Sequence, residues 1–384
     1  MIHFPRPSVA AELVRSLSGQ NPFSDAPNGL FLAAPRRTGK TEFLRNDLIP
    51  ALNAGNVRVI YVDLWEHKER DPGELIAAAI ARCIDAAKNR VQKAADAING
   101  SISLFGVQIG IDPAKIGKLD GVSVPEALQR FQEATNRPVC LIVDEAQHAL
   151  TSESGVRTMA SLKSARDQMN QPGLIKLMLV MSGSDRDKLL RLVNSNAAPF
   201  FGSQITRMPT LGADFVAHLA KVVASIHPEL PPIDVAKMEK AFGLFGSRPQ
   251  FLIAAIDATF ASRIEDRLFE DQLLARAEQA KLDAEEEMAA TYCALPVLQQ
   301  AVLWRMCMEG SKFRPYDAKA LEFYKAKTHE AVTAQQVQQS LERLRQRDDP
   351  LVWKSARGEY SVEDSAMVSW FESMSQAGKW PPTP

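Results

Sequence analysis

Short apolar runs alternate with amphipathic, helix-like stretches over roughly the first two hundred residues. The apolar runs cover residues 30–34, 57–64, 139–147 and 174–184, and the intervals between them space their apolar positions as helices do. Strands that alternate with helices are typical of βαβ units. The pattern therefore predicts an α/β fold with a mostly parallel sheet and flanking helices. Alternation around a glycine near residues 101–111 predicts an inserted hairpin.

Strand-like runs stop after about Pro209, and residues 211–285 have a helical pattern. This segment ends in a charged stretch, residues 271–288, which predicts a linking helix with a solvated face. Three domains are therefore expected: an α/β domain over residues 1–210, a helical lid with its linking helix over 211–290, and a C-terminal domain over 291–384.

The C-terminal domain is predicted to contain three helices followed by a hairpin. Two helices are expected over residues 295–308 and 318–326. A third begins at Thr333, where Gln336 three positions later completes a capping box. Residues 351–362 predict two strands around a turn. Three helices followed by a β-hairpin is the order of a winged helix.

Composition narrows the class of protein without naming a function. The 384 residues carry a formal net charge of −1, so there is no global positive field for nucleic acid. The four cysteines form no C-x-x-C pair, which excludes the usual zinc-ribbon and thioredoxin motifs. The first residues lack the apolar core of a signal peptide, and no apolar run reaches the ~20 residues of a membrane span. We expect a cytoplasmic protein with no membrane partner.

The segment "AAPRRTGKTEF" nearly matches the phosphate-binding loop G-x-x-x-x-G-K-[ST] and follows the first predicted strand. Such a loop wraps phosphates with backbone N–H groups at the start of a helix. Lys40 would bridge the β- and γ-phosphates of a nucleotide, and the Thr41 hydroxyl would contact Mg²⁺. The residues expected to surround the phosphates are Pro35, Arg36, Arg37, Thr38, Gly39, Lys40, Thr41 and Glu42.

The first glycine of the motif is replaced by Ala34. Glycine at this strand end serves a tight turn and close approach. Pro35 biases Ala34 towards extended backbone, which a strand end already has. If Ala34 keeps a negative φ, its methyl group costs little, and we expect nucleotide binding to survive.

A second signal stands at the end of the third predicted strand. The run "CLIVDEAQ" places four apolar residues before Asp144 and Glu145, which is the Walker B form. A carboxylate at such a strand end can hold the Mg²⁺ shell, and the next one can polarise the attacking water. Asp144 is therefore the candidate metal ligand beside Thr41, and Glu145 the candidate general base.

Two weaker signals follow in the order expected of AAA+ ATPases. Polar Ser182 and Ser184 end an otherwise apolar strand, where a sensor 1 residue would detect the γ-phosphate. Arg248 opens a helix in the helical region, where a sensor 2 arginine would lie. The guanine-reading motif N-K-x-D is absent from the sequence. Adenine is therefore the expected base, and ATP the expected nucleotide.

The motifs "PRRTGKT", "YVDLWEHKERDP", "LIVDEAQ", "SGSDRDKL" and "APFFG", in this order, resemble the archaeal-type ATPase family of STAND/AAA+-related P-loop proteins. The resemblance covers roughly residues 4–252, and it implies Phe4 and Arg6 as contacts on the adenine side. The chain departs from the family at Ala34 and at Ser203, where relatives often have a trans-acting arginine. Arg207 and Arg191 are possible substitutes for it.

The third helix of the predicted winged helix would enter a DNA major groove, with the wing on the backbone. Glutamine and arginine on its exposed face can pair with adenine and guanine edges. Acidic and basic residues are equal in number over residues 295–374, however. This segment therefore has little net positive charge with which to bind DNA phosphates. The candidate DNA contacts are Gln335, Gln338, Gln339, Arg343, Arg345, Lys354 and Arg357.

The sequence thus predicts a Mg²⁺-dependent ATPase in which ATP binding closes the lid and switches the winged helix or a homo-oligomer between states. The alternative is a non-catalytic, nucleotide-gated adaptor for a protein partner, of the defence or transposition type. A small-molecule kinase is disfavoured, because no substrate lid with clustered arginines is evident.

Overall fold

A computed structural model describes residues 3–67, 69–97, 116, 121–184, 186–194, 198–262, 267–356 and 358–382, without the side chains of 88–97 and 187. The predicted hairpin near residues 101–111 and the wing residue Arg357 lie outside these residues. The chain forms two compact units. The sheet unit comprises Pro5–Ala34 and Lys40–Met208, and the helical unit comprises Met1–Phe4, Pro35–Gly39 and Pro209–Pro384. The three-domain division stays a prediction.

The sheet unit is built on five parallel strands in the order β2-β3-β4-β1-β5. The predicted α/β fold with a parallel sheet is confirmed. The short edge strand β5 was not predicted, because three residues with polar positions give no readable apolar run. The strands are β1 (Leu30–Ala33), β2 (Arg58–Asp63), β3 (Val139–Asp144), β4 (Leu177–Gly183) and β5 (Ile205–Arg207).

Strands β3 and β4 are buried along their whole length. Central strands of a parallel sheet are covered on both faces, which explains their continuous apolar runs. The register pairs Asp63 with Asp144 and Ala33 with Gly183. The carboxyl ends of β1 to β4 therefore reach the same edge of the sheet, where open α/β sheets bind ligands.

The helix after β1 passes through a proline. It begins at Lys40 as α2 (Lys40–Phe43), widens into a π turn (Leu44–Leu48) and continues as α3 (Ile49–Ala54). A proline removes an N–H and crowds the carbonyl four residues earlier. Pro50 stands in the first turn of α3, directly after the π turn, where the missing N–H is tolerated.

The remaining helices of the sheet unit flank the strands. The N-caps of α5 and α6 are serines, Ser123 and Ser152, whose hydroxyls accept backbone N–H bonds. These helices are α1 (Pro7–Leu17), α4 (Pro72–Ala97), α5 (Val124–Thr135), α6 (Glu153–Met169) and α7 (Arg186–Leu190).

The helical unit has two clusters of buried side chains. The first joins four helices through residues such as Phe215, Met238, Leu252 and Leu273. The charged stretch predicted as a linking helix lies within the 25-residue helix α11. The four helices are α8 (Ala213–Ile226), α9 (Val235–Leu244), α10 (Pro249–Ala261) and α11 (Phe269–Cys293).

The second cluster lies in the C-terminal segment, residues 297–376, where three helices precede an antiparallel hairpin. Thr333 and Gln336 form the predicted capping box at the start of the third helix. No described helix combines the length and apolarity needed to cross a membrane. The elements are α12 (Val297–Glu309), α13 (Ala318–Thr328), α14 (Ala334–Arg345), β6 (Val352–Lys354), β7 (Tyr360–Val362) and α15 (Ser365–Gln376).

Candidate nucleotide-binding site

The motif left open whether Ala34, in place of the first glycine, fits the backbone of the loop after β1. Ala34 is buried, and its N–H donates to the Gly183 carbonyl across the sheet at 3.1 Å. It is not among the described non-glycine residues with positive φ. The positive φ values of the loop fall instead at Arg37 (66°) and Gly39 (85°). The conformation that favours glycine thus falls at Arg37 and Gly39 and not at Ala34, whose methyl group is compatible with the turn.

Within the helical unit, residues of the loop 35–39 contact helix α10 and the C-terminal segment. The Thr38 hydroxyl donates to the Pro35 carbonyl at 2.6 Å, which closes the turn on itself. The Arg37 guanidinium lies 5.0 Å from the ring centroid of Phe251, a cation–π contact. Arg36 forms an ion pair of 3.1 Å with Glu363, directly after β7.

Lys40 joins the two acidic side chains of the Walker B motif. Its ammonium group is 2.9 Å from Asp144 Oδ1 and 2.5 Å from Glu145 Oε1. Its side chain is only 5% exposed, and that of Asp144 is fully buried. Buried charges are tolerated when they are paired and hydrogen-bonded. Of the predicted site residues, Lys40, Asp144 and Glu145 thus lie in one cluster of the sheet unit.

Asp144 accepts hydrogen bonds on both carboxylate oxygens. Thr41 donates its hydroxyl to Oδ2 at 2.7 Å, and Tyr61 on the neighbouring strand donates to the same oxygen at 3.1 Å. Ser182 donates to Oδ1. Burial opposes ionisation, but the charge and hydrogen bond of Lys40 and the hydroxyl donors outweigh it and lower the pKa of Asp144. The site therefore holds Asp144 as a carboxylate, the form that binds a cation.

Glu145 is held in an unusual backbone conformation by side chains around it. Its φ of 54° and ψ of 43° are left-handed, and such strain at a non-glycine residue is typical of functional sites. Oε2 accepts from the Ser184 hydroxyl at 2.8 Å and from the Gln147 amide at 2.5 Å. Burial is again outweighed, chiefly by Lys40, so that the pKa of Glu145 is lowered. Glu145 is thus ionised, as a general base must be.

The donor set fits Mg²⁺. Thr41 and Asp144 offer oxygen ligands, and Mg²⁺ is usually bound by one or two protein oxygens together with phosphates and water. Among the residues that the structure describes, no group of three His, Cys, Asp or Glu side chains could form an all-protein cage. The residues present therefore match a metal delivered with a nucleotide.

Other predicted site residues have contacts of their own. Arg6 is buried, with its guanidinium 4.6 Å from the Phe43 ring centroid in the sheet unit. In the helical unit, Phe4 packs 5.7 Å from the ring of Phe215.

Arg248 is the N-cap of α10. Its guanidinium and that of Arg37 lie over the same Phe251 ring. In the sheet unit, Glu42 accepts a hydrogen bond from Asn46. Their roles towards a nucleotide stay predictions.

Sequence reasoning missed two residues of this cluster. Tyr61 carries a polar hydroxyl inside an apolar strand, one strand away from Asp144. Gln147 stands two residues after Glu145 in the quoted motif "DEAQ", but no role was assigned to it. In both cases the usable signal was a polar group among apolar neighbours in a strand or turn.

Comparisons with known proteins agree with the observed fold. Residues 25–190 match the family described as "AAA domain". The chain is similar to a Walker-type ATPase of Pyrococcus abyssi, with 17% identity and a TM-score of 0.50 over 94% of this chain and 95% of that one. It is also similar to the ADP form of the Aeropyrum pernix ORC2 protein, with 13% identity and a TM-score of 0.52 over 99% and 97% of the chains. At these identities the structural likeness concerns the fold. No curated protein matches the sequence.

Proposed function

We propose that this chain, whose residues 25–190 match the family described as "AAA domain", is an AAA+-type ATPase that binds ATP with Mg²⁺ and hydrolyses it to ADP and phosphate. The observation that carries the proposal is the bridge from Lys40 to Asp144 and Glu145, with Thr41 on the same aspartate. These four residues stand where P-loop ATPases need a phosphate cation, a metal ligand pair and a base.

In the proposed reaction, Lys40 exchanges its two carboxylates for the β- and γ-phosphates. Thr41 and Asp144 would hold Mg²⁺, which would supply charge neutralisation of the phosphates. Glu145 Oε1, released by Lys40, accepts a proton from the attacking water. The water oxygen bonds to the γ-phosphorus, and the bond from that phosphorus to the ADP oxygen breaks. Tyr61 and Ser182 keep the Asp144 carboxylate in place during the exchange.

Two further roles rest on the same site. Ser182 would report the γ-phosphate to the sheet through its hydrogen bond to Asp144. Arg248, at the start of α10, would approach the phosphates from the lid and couple nucleotide binding to lid position. Steady-state phosphate release from ATP, measured on the full chain with and without Mg²⁺, tests the function. Release that requires Mg²⁺ supports it, and binding of ATP without any release contradicts hydrolysis.

The C-terminal segment is proposed to act as a winged helix that contacts DNA. Val337, Leu341 and Leu344 are buried, so that α14 packs through one apolar face and leaves its polar face exposed. Glu342 accepts ion pairs from Arg345 and Lys354, both at 2.8 Å. These pairs, led by Lys354, lower the pKa of Glu342. The exposed residues of the α14 face are Gln335, Gln338, Gln339, Arg343, Arg345 and Gln346.

Replacing Glu342 with glutamine is expected to strengthen DNA binding. The change frees Arg345 and Lys354 from an internal carboxylate, and each cation that reaches a phosphate adds a counterion-release contribution. We expect an affinity gain of about 3- to 10-fold at low salt, with a steeper salt dependence. Fluorescence anisotropy with a duplex oligonucleotide measures both. The matched control is Glu322→Gln, an exposed glutamate of α13. Unchanged binding in Glu342→Gln would count against DNA contact by this face.

A second candidate function is the nucleotide-gated adaptor that acts through a protein partner without turnover. The ion pair between Arg36 and Glu363 favours some form of switching, because it ties the phosphate-binding loop to the C-terminal segment within the helical unit. A phosphate group that attracts Arg36 would compete with Glu363 for the guanidinium. Nucleotide binding would thereby loosen the hold on the C-terminal segment in either candidate function.

Replacing Glu363 with glutamine is expected to raise ATP affinity modestly. The pair is partly exposed, with 34% and 17% of the two side chains accessible, and such pairs contribute up to about 1 kcal/mol. Isothermal titration should therefore show a Kd lower by about two- to fivefold than that of the wild type. Glu322→Gln serves again as the control. A Kd that does not change, or that rises, would contradict competition between Glu363 and a phosphate group for Arg36.

A further inference from the structure

Gln147 lies directly behind the proposed base, in the 3₁₀ turn Ala146–Thr151 that follows β3. The residue is only 2% exposed. Its Nε2 donates to Glu145 Oε2 at 2.5 Å and lies 3.5 Å from the Ser184 hydroxyl. A buried amide is therefore fixed on the oxygen of Glu145 that Lys40 does not contact.

The carbonyl end of this amide lacks a hydrogen-bond partner among the residues that the structure describes. Gln147 Oε1 is buried and accepts no hydrogen bond from the described residues. Leaving a buried acceptor unpaired costs free energy, and such a group in a folded protein requires an explanation. The unpaired Oε1 therefore gives no reason for the buried position of this side chain. The hydrogen bond from Nε2 to Glu145 does give one.

Gly183 makes the space for this amide. A Cβ placed on Gly183 would lie 2.6 Å from Gln147 Oε1, closer than atoms in contact can be. Gly183 is not among the described glycines with positive φ, so its backbone conformation does not demand a glycine. Glycine inside a strand often marks a site of close approach. The end of β4 is thus shaped around the Gln147 side chain.

We propose that Gln147 is the positioning residue for Glu145. Its amide N–H fixes Oε2, so that Oε1 faces the attacking water once Lys40 has turned to the phosphates. The amide also anchors a side chain whose backbone is held in the left-handed region. The inference rests on the proposed function, because it concerns the same hydrolytic site. Gln147 acts on the reaction only through Glu145.

The test is a double-mutant cycle on steady-state phosphate release by the full chain. Gln147→Met keeps the length of the side chain and removes the donor. We expect kcat to fall by about 10- to 100-fold, as for loss of a hydrogen bond to a charged group. KM and the Kd for ATP should change by less than about threefold, because Gln147 is proposed to act only through Glu145. The matched control is Gln132→Met, a buried glutamine of α5 in the same unit, which should keep kcat within about twofold.

The second arm of the cycle separates positioning from a merely structural role. In a Glu145→Gln background, Gln147→Met should lower the residual rate no further, because the residue acts through the missing carboxylate. Equal losses in both backgrounds overturn the inference. Gly183→Ala reaches the same amide from the other side and should also lower kcat with KM unchanged, which keeps the inference testable if Gln147→Met does not fold.

The outcomes distinguish the inference from the function beneath it. A wild-type chain that binds ATP and releases no phosphate overturns the proposed hydrolysis, and the inference with it. A wild-type chain that turns over, with Gln147→Met and Gly183→Ala equally active, overturns the inference alone.

Discussion

Replacing Glu145 with glutamine is expected to reduce steady-state phosphate release by at least about 100-fold while ATP still binds. General-base catalysis contributes about 10²- to 10⁴-fold, and glutamine cannot accept the proton of the attacking water. The phosphate and metal contacts remain, because Lys40, Thr41 and Asp144 are unchanged. Phosphate release and isothermal titration on the same preparation measure the two quantities.

The control for this variant is Glu153→Gln. Glu153 opens α6 in the same unit, and its side chain is 86% exposed, so the same chemical change there should leave turnover unaltered. If Glu145→Gln turns over ATP at the rate of the wild type, Glu145 is not the base. If the wild type and Glu145→Gln both bind ATP but neither hydrolyses it, the protein is a nucleotide-gated adaptor and not an ATPase. A pull-down of the Glu145→Gln variant with ATP would then capture the engaged state and its partner.

Replacing Lys40 with methionine should both abolish tight ATP binding and destabilise the nucleotide-free protein. The variant leaves two buried carboxylates without their counter-charge, and breaking a buried ion pair in this way costs about 3–5 kcal/mol. Thermal melting without nucleotide should show a lower Tm, by about 2–4 °C for each kcal/mol. The control is Lys163→Met, which removes an ion pair with Asp167 whose side chains are 44% and 46% exposed. It should cost less than about 1 kcal/mol.

The pH dependence of this destabilisation has a definite sign. Lys40 is the main reason why the pKa values of Asp144 and Glu145 are lowered in the folded protein. A lowered carboxyl pKa stabilises the fold above the unfolded value, near pH 4, and this stabilisation is lost as the pH falls through the folded value. The difference in Tm between wild type and Lys40→Met should therefore be largest near neutral pH and should shrink below about pH 4. A difference independent of pH would contradict the bridge.

Strands β1 to β4 and the charged residues of the central cluster, Lys40, Asp144 and Glu145, could be predicted from the sequence because both depend on local patterns. β3 and β4 are covered on both faces, so their apolar runs were continuous and easily seen. Parallel strands end at one edge, so polar residues at the ends of two such runs had to meet. The backbone at Ala34 could also be argued locally, since Pro35 already restricts it.

The rest depended on contacts between distant segments. Strand β5 is defined by pairing with β1 rather than by its own three residues. The donors around Glu145 come from Lys40, Ser184 and Gln147, and only the folded turn with its left-handed Glu145 brings them to one carboxylate. The spacing of residues along the sequence does not predict such a turn. Likewise, the exposed face of α14 was predictable from its apolar stripe, whereas the pairing of Glu342 with Lys354 required the hairpin to be folded.

Isothermal titration of the full chain with ATP in the presence of Mg²⁺ tests the central claim most directly. The claim is that the imperfect loop with Ala34, together with Lys40, Thr41 and Asp144, forms a working nucleotide site. The account predicts sub-millimolar affinity for the wild type, a weaker affinity when Mg²⁺ is chelated, and none measurable for Lys40→Met. A wild-type chain that binds neither ATP nor ADP at sub-millimolar concentration would contradict it.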